Sequence, residues 1–218
     1  MPRRMIRALA TATAALTLAA GPGPAQPAAA ETLGGDGRPI TNSQGKRFGI
    51  TAHRGGALER PENSLEAFRY SVDQRFDAIE TDLLFTKDGH GVMAHYDTIP
   101  SRCSHAGKKL HQMTLAQVRE VRCADLAGLR TVPIPTFDEL AVVVRPSGIL
   151  LTLDLKTYSG QSASGKRSYA RRAIELLRKH ALLERTMILA YQWEAMLPTI
   201  RKLAPRIRVI GLDNRPMS

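Results

Sequence analysis

Two carboxylates on one face of an apolar segment are the feature of this chain that points most directly to chemistry. Glu80 and Asp82 lie two residues apart within the apolar segment 78–85. Because a β-strand sends alternate side chains to opposite faces, both carboxylates point the same way. Two ionised carboxylates on an inner face repel each other and lose hydration unless a cation lies between them. The pair therefore predicts a metal site; solvated carboxylates on an edge strand are the structural alternative.

Two histidines follow apolar segments in the same region. His53 comes directly after 48–52, and His95 ends the segment 91–95. Residues at the carboxyl end of a strand lie on the catalytic rim of a parallel barrel. Two histidines beside a metal can divide acid–base work, one taking a proton from the nucleophile and one giving a proton to the leaving alkoxide. For His53 the structural alternative is a hydrogen-bonded core histidine.

A second pair with the same spacing occurs later in the chain. Asp154 lies near the end of the apolar segment 148–155, and Lys156 follows on the same face. Asp154 is the predicted third ligand and Lys156 a phosphate contact; an ion pair between them is the alternative. Three carboxylates suit Ca²⁺ or Mg²⁺ rather than Zn²⁺. We expect Ca²⁺ rather than Mg²⁺, because the site is carboxylate-rich and, as argued below, extracellular.

Further polar residues adjoin His53. The planar guanidinium of Arg54 can clamp an anionic oxygen, although an ordinary surface arginine is the alternative. Glu62 and Asn63 begin a predicted helix and are expected to orient the metal ligands or the histidine. Together these residue types predict metal-assisted cleavage of a phosphate diester, in which the cation neutralises phosphoryl oxygens and orients the nucleophile.

Strand-like and helical patterns alternate from residue 48 onward, which predicts an α/β fold with a parallel sheet, open or closed into a barrel. Asn63 or Ser64 is the predicted cap of the first helix, and Thr136 caps another. The residues 86–89 predict a tight turn. The six predicted strands are 48–52, 78–85, 91–95, 148–155, 187–191 and 208–212, and the predicted helices are 65–74, 115–121, 137–144, 168–180 and 194–203.

The first thirty residues are typical of a secretory signal peptide. Three arginines lie within the first seven residues, the short apolar stretch 8–20 follows, and the small residues 28–30 end the segment. We therefore expect export by the Sec route, or by the twin-arginine route given Arg3 and Arg4. Residues 31–47 are rich in glycine and polar residues and predict a flexible leader, so the predicted domain is 48–218.

Charge and composition limit the partners. Removal of the signal peptide lowers the formal net charge from +11 to +8. A basic surface attracts anionic ligands, but it is also an ordinary solvated surface. There are only five Phe, five Tyr and one Trp, and no nucleic-acid motif is present. The expected partner is a small molecule, with neither nucleic acid nor stable membrane insertion, and the sequence leaves the oligomeric state open.

Cys103 and Cys123 are the only two cysteines. In a secreted chain an isolated pair is most simply a disulfide. A thiol nucleophile or a metal ligand is the functional alternative, but neither cysteine lies in a motif that supports such a role.

The ordered motifs resemble the glycerophosphodiester phosphodiesterase family, in the superfamily of phospholipase C-like phosphodiesterases. The resemblance covers about residues 48–212 and implies a TIM-type (β/α)₈ barrel that hydrolyses glycerophosphodiesters to sn-glycerol 3-phosphate and an alcohol. It implies His53 and His95 as the acid–base pair, Arg54 and Lys156 as phosphate contacts, and Glu80, Asp82 and position 154 as metal ligands. The motifs are His53-Arg54-Gly55, Pro61-Glu62-Asn63-Ser64, Ile79-Glu80-Thr81-Asp82, Thr86-Lys87-Asp88-Gly89, His95-Tyr96-Asp97, the segment 133–140 and Leu153-Asp154-Leu155-Lys156.

The chain departs from the family pattern in several places. Ser64 replaces the usual threonine, and Asp154 stands where glutamate is usual, which shortens the predicted third ligand. The loop 98–128 is short where some members carry an insertion. The 188 residues after the signal peptide fall short of the roughly 250 usual for an eight-stranded barrel. We therefore expect the barrel to lack its last one or two β/α units, including the usual tryptophan-bearing strand.

Two other functions fit parts of the pattern. The segment 154–157 also resembles the sphingomyelinase D-like phospholipases, which form cyclic phosphates, but the motifs around His53 and Asn63 favour the phosphodiesterases. From a different class, an inactive polyanion-binding barrel is compatible with the charge of +8 and the shortened pattern.

Overall fold

The computed structural model describes residues 49–125, 127–191 and 193–212. The predicted signal peptide (1–30) and leader (31–47) lie outside these residues, so the structure tests neither of them.

Strands and helices alternate along the described residues. The strands are β1 Thr51–Ala52, β2 Ala78–Phe85, β3 Gly91–Met93, β4 Arg122–Ala124, β5 Thr131–Pro133, β6 Leu150–Leu155, β7 Thr186–Tyr191 and β8 Arg208–Leu212. The α-helices are α1 Leu65–Asp73, α2 Leu115–Val118, α3 Phe137–Ser147, α4 Ala163–Lys179 and α5 Leu197–Leu203.

The main sheet has the order β1-β2-β6-β7-β8, with all neighbouring strands parallel. This arrangement confirms the predicted α/β fold. All six predicted strands are present in this sheet. The third of them, β3, pairs antiparallel with β2, because the Thr86–Gly89 turn reverses the chain, with Gly89 at a φ of 90° that favours glycine.

The centre of the sheet is apolar on both faces, as expected for parallel strands covered by helices. Ile79, Leu83 and Leu84 of β2 are fully buried, as is Leu153 of β6. The buried faces of α3 and α4 pack against them within a single core cluster. The polar side chains that interrupt β2 and β6 are therefore held by a rigid frame.

The helix caps also serve the site. The Ser64 side chain accepts a hydrogen bond from the Ala67 amide and so caps α1. Asn63, the other predicted cap, does not cap the helix, and its side chain instead contacts β2. Thr136 and Glu139 form a reciprocal capping box at the start of α3, as predicted for Thr136.

Apart from shifts of up to three residues at element ends, three parts of the structure differ from the sequence prediction. Helix α4 begins at Ala163 rather than at residue 168, because the Ser162 side chain caps it there. The short ladder of β4 and β5 was not predicted, because three-residue strands carry no periodic signal. The predicted helix 194–203 is divided into a 3₁₀ turn at Trp193–Ala195 and α5, which has a proline in its first turn, a favourable position for proline.

The predicted disulfide between Cys103 and Cys123 is present. It closes the loop that leads from β3 to β4. Among the described helices, none combines the length and the apolar character that a membrane span requires.

Candidate metal and phosphate site

The two strands at the centre of the sheet bring three carboxylates together. Asp82 of β2 and Asp154 of β6 are direct partners in the parallel register. Glu80, two residues before Asp82, shares their face. One oxygen from each of these three carboxylates lies within 4.8 Å of the other two. The predicted ligand set is therefore assembled at one place, with Glu80 and Asp82 in the middle of β2 and Asp154 near the carboxyl end of β6.

Asn63 orients the Asp82 carboxylate. Its side-chain amide donates to Asp82 Oδ2 at 2.8 Å, and its carbonyl accepts a 2.7 Å bond from the Thr81 hydroxyl. Asn63 has a φ of 53°, a left-handed conformation that asparagine tolerates better than most residues. It is buried, so the contact is fixed rather than solvated.

Lys156 lies among the carboxylates. Its ammonium is 2.6 Å from Asp154 Oδ2 and 3.0 Å from Asp82 Oδ1. The ion pair between Lys156 and Asp154, which the sequence left as the alternative, is therefore present. Lys156 also lies at the site where the sequence predicted it. The carboxylates hold the pKa of Lys156 above its usual value, although burial alone acts to lower it.

The donor set fits a hard divalent cation. Asp82 Oδ1 and Asp154 Oδ1 are buried and accept no hydrogen bond from any described residue, since the approach of Lys156 to Asp82 is an ion pair outside hydrogen-bond geometry. Buried carboxylate oxygens without partners are costly unless a cation binds them. Carboxylate oxygens are the ligands that Ca²⁺ and Mg²⁺ prefer.

The pKa of Glu80 also indicates that too little positive charge lies near the carboxylates. Burial and then the charge of Asp82 raise the pKa of Glu80 to about 7. Its Oε2 atom accepts a 2.9 Å hydrogen bond from the Arg54 amide, which opposes the shift without cancelling it. Burial likewise raises the pKa of Asp154, against the opposing effect of Lys156. Both carboxyl groups would be more fully ionised beside a cation.

Arg54 enters the site through a tight turn after β1. Residues His53–Gly55 form a 3₁₀ turn in which Arg54 has a φ of 49°. Gly55 allows this turn to press against α1, since a Cβ atom there would lie 2.8 Å from the Phe68 ring. The Arg54 side chain then donates from Nη1 to Glu62 at 2.8 Å, and its Nε lies 3.7 Å from Asp82 Oδ2.

The two predicted histidines differ in environment. The His53 side chain is 69% exposed, with Nε2 4.0 Å from Glu80 Oε2. His95 is half-buried, and its Nδ1 has no partner among the described residues. Burial lowers the pKa of His95; Asp82 opposes this shift and Lys156 adds to it. A neutral His95 beside the carboxylates is suited to accept a proton.

Sequence reasoning missed Arg102, which completes the charged cluster. Its Nη2 forms a short ion pair with Glu62 Oε1, the oxygen that Arg54 does not use. Arg102 lies beside Cys103 in a loop without a periodic sequence pattern. The only signal in the sequence that could have pointed to it was its proximity to the predicted disulfide. With Arg102, the cluster holds four carboxylates and three cationic side chains, so a bound divalent cation would make it net positive and attractive to a phosphate diester.

A pocket with a cavity volume of about 50 Å³ is lined by Glu62, Asn63 and His95, but not by the three carboxylates of the predicted ligand set. Its walls are mainly apolar and include the disulfide. His95, Glu62 and Arg102 provide its polar edge. The larger cleft of about 550 Å³ lies at the amino ends of β6, β7 and β8, away from the predicted site residues.

An α/β sheet that gathers carboxylates, histidines and cationic side chains beside its central strands is the arrangement expected of a protein that cleaves phosphate diesters with the help of a metal. The sequence profile of the glycerophosphoryl diester phosphodiesterase family matches residues 53–216. The chain belongs to that family.

Individual relatives agree with this assignment. A glycerophosphodiester phosphodiesterase from Caldanaerobacter subterraneus is 25% identical over 169 residues, which cover 73% of this chain and 64% of the relative. A crystal structure of a glycerophosphodiester phosphodiesterase from Parabacteroides distasonis superimposes with a TM-score of 0.65 at 19% identity, over 77% of this chain and 66% of that one.

A phosphodiesterase from Oleispira antarctica, solved with its product sn-glycerol 3-phosphate, superimposes with a TM-score of 0.63 at 22% identity, over 75% of this chain and 65% of that one. These structures establish the TIM-type fold class. The chain spans slightly less than two thirds of the length of these relatives.

Proposed function

We propose that this protein hydrolyses glycerophosphodiesters to sn-glycerol 3-phosphate and an alcohol, in a reaction that depends on a divalent cation. The observation that carries the proposal is the convergence of Glu80, Asp82 and Asp154 within 4.8 Å, with His53 and Arg54 close by in a chain of this family. The product complex of the Oleispira antarctica relative supports the same substrate class.

In this proposal Glu80, Asp82 and Asp154 hold the cation. When bound, it would neutralise charge on the phosphoryl oxygens and orient the nucleophile. Asn63 keeps the Asp82 carboxylate in place through its 2.8 Å hydrogen bond. We favour Ca²⁺ over Mg²⁺, because three carboxylates form an oxygen-rich site, whereas Mg²⁺ usually keeps several waters and few protein ligands.

Arg54 and Lys156 bind the phosphate of the substrate. Within the described residues the Arg54 guanidinium donates a hydrogen bond only from Nη1, to Glu62, and Nε is buried near Asp82, so Nη2 remains for an anionic oxygen. Lys156 is paired with Asp82 and Asp154 here, and a cation held by those carboxylates would displace its ammonium toward the substrate. Both side chains would stabilise the charge that develops on the phosphoryl group.

His53 and His95 act as the acid–base pair. One histidine removes a proton from the attacking water as its oxygen bonds to phosphorus, and the other donates a proton to the leaving alkoxide as its P–O bond breaks, so atoms and charges balance. We assign the base to His95, since its lowered pKa leaves it neutral near pH 7. The exposed His53 can reach a leaving group at the mouth of the site.

We also propose that the protein is secreted. The basic start, apolar stretch and small residues of 1–30 support this location, as does the Cys103–Cys123 disulfide, since disulfides persist mainly in oxidising compartments.

The direct test is product analysis with purified protein. We expect sn-glycero-3-phosphocholine to yield sn-glycerol 3-phosphate and choline with Ca²⁺ present, and no product after EDTA treatment. A cyclic phosphate formed only from lysophospholipid would favour the sphingomyelinase D-like alternative. Binding of polyanions without turnover of any diester would favour the inactive barrel.

A further inference from the structure

The Glu62 carboxylate bridges two guanidinium groups. Its Oε2 atom accepts from Arg54 Nη1 at 2.8 Å, and its Oε1 atom forms a short ion pair with Arg102 Nη2. All three side chains are largely buried; the side chain of Glu62 is 18% exposed and that of Arg102 30%. Charged hydrogen bonds in this setting are stronger and more directional than exposed ones.

Arg102 is itself held firmly. The Ala124 amide donates to its carbonyl at 3.0 Å, and the Ser104 amide donates to the carbonyl of Arg122 at 2.8 Å. The Cys103–Cys123 disulfide joins the same two segments between these bonds. The backbone that carries Arg102 is therefore fixed to β4 on both sides of the disulfide.

Arg54, by contrast, has a side chain that is held less firmly than the backbone that carries Arg102. Its backbone is held by the turn after β1, but its long side chain is aimed only by contacts at its end. Among the described residues, Nη1 donates to Glu62, whereas Nε is buried without a hydrogen-bond partner and lies 3.7 Å from Asp82 Oδ2. The Tyr96 ring lies 6.0 Å from the guanidinium carbon, at the outer limit of a cation–π contact.

Charge and geometry lead to the same role for Arg102. Glu62 alone would neutralise Arg54 and reduce its attraction for a phosphate. With Arg102 on the other carboxylate oxygen, the three groups carry a net charge of +1 and Glu62 is fixed at both oxygens. Arg54 then keeps both its orientation and its positive field.

We infer that Arg102, anchored by the disulfide, is a positioning residue that aims Arg54 at the substrate phosphate through Glu62. The inference rests on the proposed function only in that the bound group is a phosphate diester. The disulfide loop would then contribute to substrate affinity as well as to stability.

The test compares Arg102→Leu and Arg102→Lys with a matched control, Arg119→Leu. Arg119 also pairs with a glutamate, Glu139, at 3.3 Å, but on the exposed outer surface. For sn-glycero-3-phosphocholine we expect Arg102→Leu to raise KM about tenfold, the loss of one charged hydrogen bond, with kcat within about twofold of the parent. Arg102→Lys should recover part of the loss because it restores the charge without the planar fork. Arg119→Leu should change neither constant.

Competitive inhibition by inorganic phosphate gives a second readout. We expect its inhibition constant to rise with KM in Arg102→Leu and to stay constant in the control. A lower melting temperature with unchanged KM and inhibition constant would overturn the inference, since a purely structural role predicts that pattern. If the parent protein hydrolyses no glycerophosphodiester, the proposed function fails, and direct calorimetric binding of inorganic phosphate to the same variants still decides the role of Arg102.

Discussion

Asp82 and Asp154 are register partners on adjacent parallel strands, and the Lys156 ammonium lies within 3.0 Å of both carboxylates. This places two acids side by side in the apolar centre of the sheet, with a cationic side chain between them. Lys156 offsets part of the repulsion, but Glu80 remains with a pKa raised to about 7 by burial and by Asp82. With Lys156 the three ionised carboxylates keep a net charge of −2, which a divalent cation would neutralise.

The length of residue 154 should set the affinity for the cation. Asp154→Glu restores the residue that is usual in the family and extends the carboxylate toward Glu80 and Asp82. We expect this variant to bind Ca²⁺ at least as tightly as the parent. Asp154→Asn, which keeps the size but removes the charge, should weaken binding by about 10-fold to 100-fold, by analogy with the loss of groups that orient metal ligands. Calorimetric titration with Ca²⁺ measures both, and equal affinity of Asp154→Asn and the parent would exclude residue 154 as a ligand.

Asn63 should matter for the metal more than for the fold. Asn63→Gly keeps the left-handed backbone without strain but removes the hydrogen bond to Asp82 and leaves the Thr81 hydroxyl unpaired. We expect a loss of about 1–3 kcal/mol of stability and a fall of about tenfold in Ca²⁺ affinity. Urea unfolding and Ca²⁺ titration measure the two effects separately. An unchanged Ca²⁺ affinity would show that Asn63 does not orient Asp82.

The disulfide should contribute to both stability and substrate affinity. Cys103→Ser with Cys123→Ser removes a link across 20 residues and should cost about 3 kcal/mol of unfolding free energy. Because the linked loop carries Arg102, KM should also rise. Urea unfolding and steady-state kinetics under non-reducing conditions test this, with the parent treated by a reductant as the comparison. A loss of stability without any change in KM would separate the disulfide from the Arg102 network.

The ion pairs of Asp138 should make stability sensitive to acid. The Lys179 ammonium donates to Asp138 at 2.8 Å, and this bond, followed by the His180 contact, holds the pKa of Asp138 below its usual 3.8. A depressed carboxyl pKa contributes stability above the unfolded pKa, and that stability is lost as the pH falls through the folded pKa. Asp138→Asn should therefore be slightly less stable at pH 7, by no more than about 1 kcal/mol for this exposed pair, and equal to the parent near pH 2. Urea unfolding at both values checks this; an equal deficit at both would contradict it.

The sequence was most informative where one strand shows a clear periodic pattern and also carries the polar residues of the site. The two-residue spacing of Glu80 and Asp82, repeated by Asp154 and Lys156, predicted which side chains share a face, because strand geometry has a fixed period. The alternation of strands and helices predicted a parallel sheet, but not that β2 pairs with β6. The pairing register that sets Asp82 beside Asp154 was not readable from either strand alone.

Features that depend on loops were less accessible. Arg102 reaches Glu62 across 40 residues of chain, and nothing in its neighbourhood predicts that contact. The β4–β5 ladder is too short to show a period, so only its disulfide was predicted. The choice of Ser64 rather than Asn63 as the helix cap also depended on tertiary context, since Asn63 is more strongly engaged by Asp82.

We propose that the carboxylate cluster and the two histidines together perform metal-dependent hydrolysis. The measurement is turnover of sn-glycero-3-phosphocholine by purified protein after EDTA treatment and again after Ca²⁺ is added, alongside His53→Ala and His95→Ala. We expect no turnover in EDTA, recovery with Ca²⁺, and a loss of at least about 100-fold in each histidine variant, with the fold retained by circular dichroism. Full activity in EDTA, or unchanged turnover in both histidine variants, would contradict this proposal.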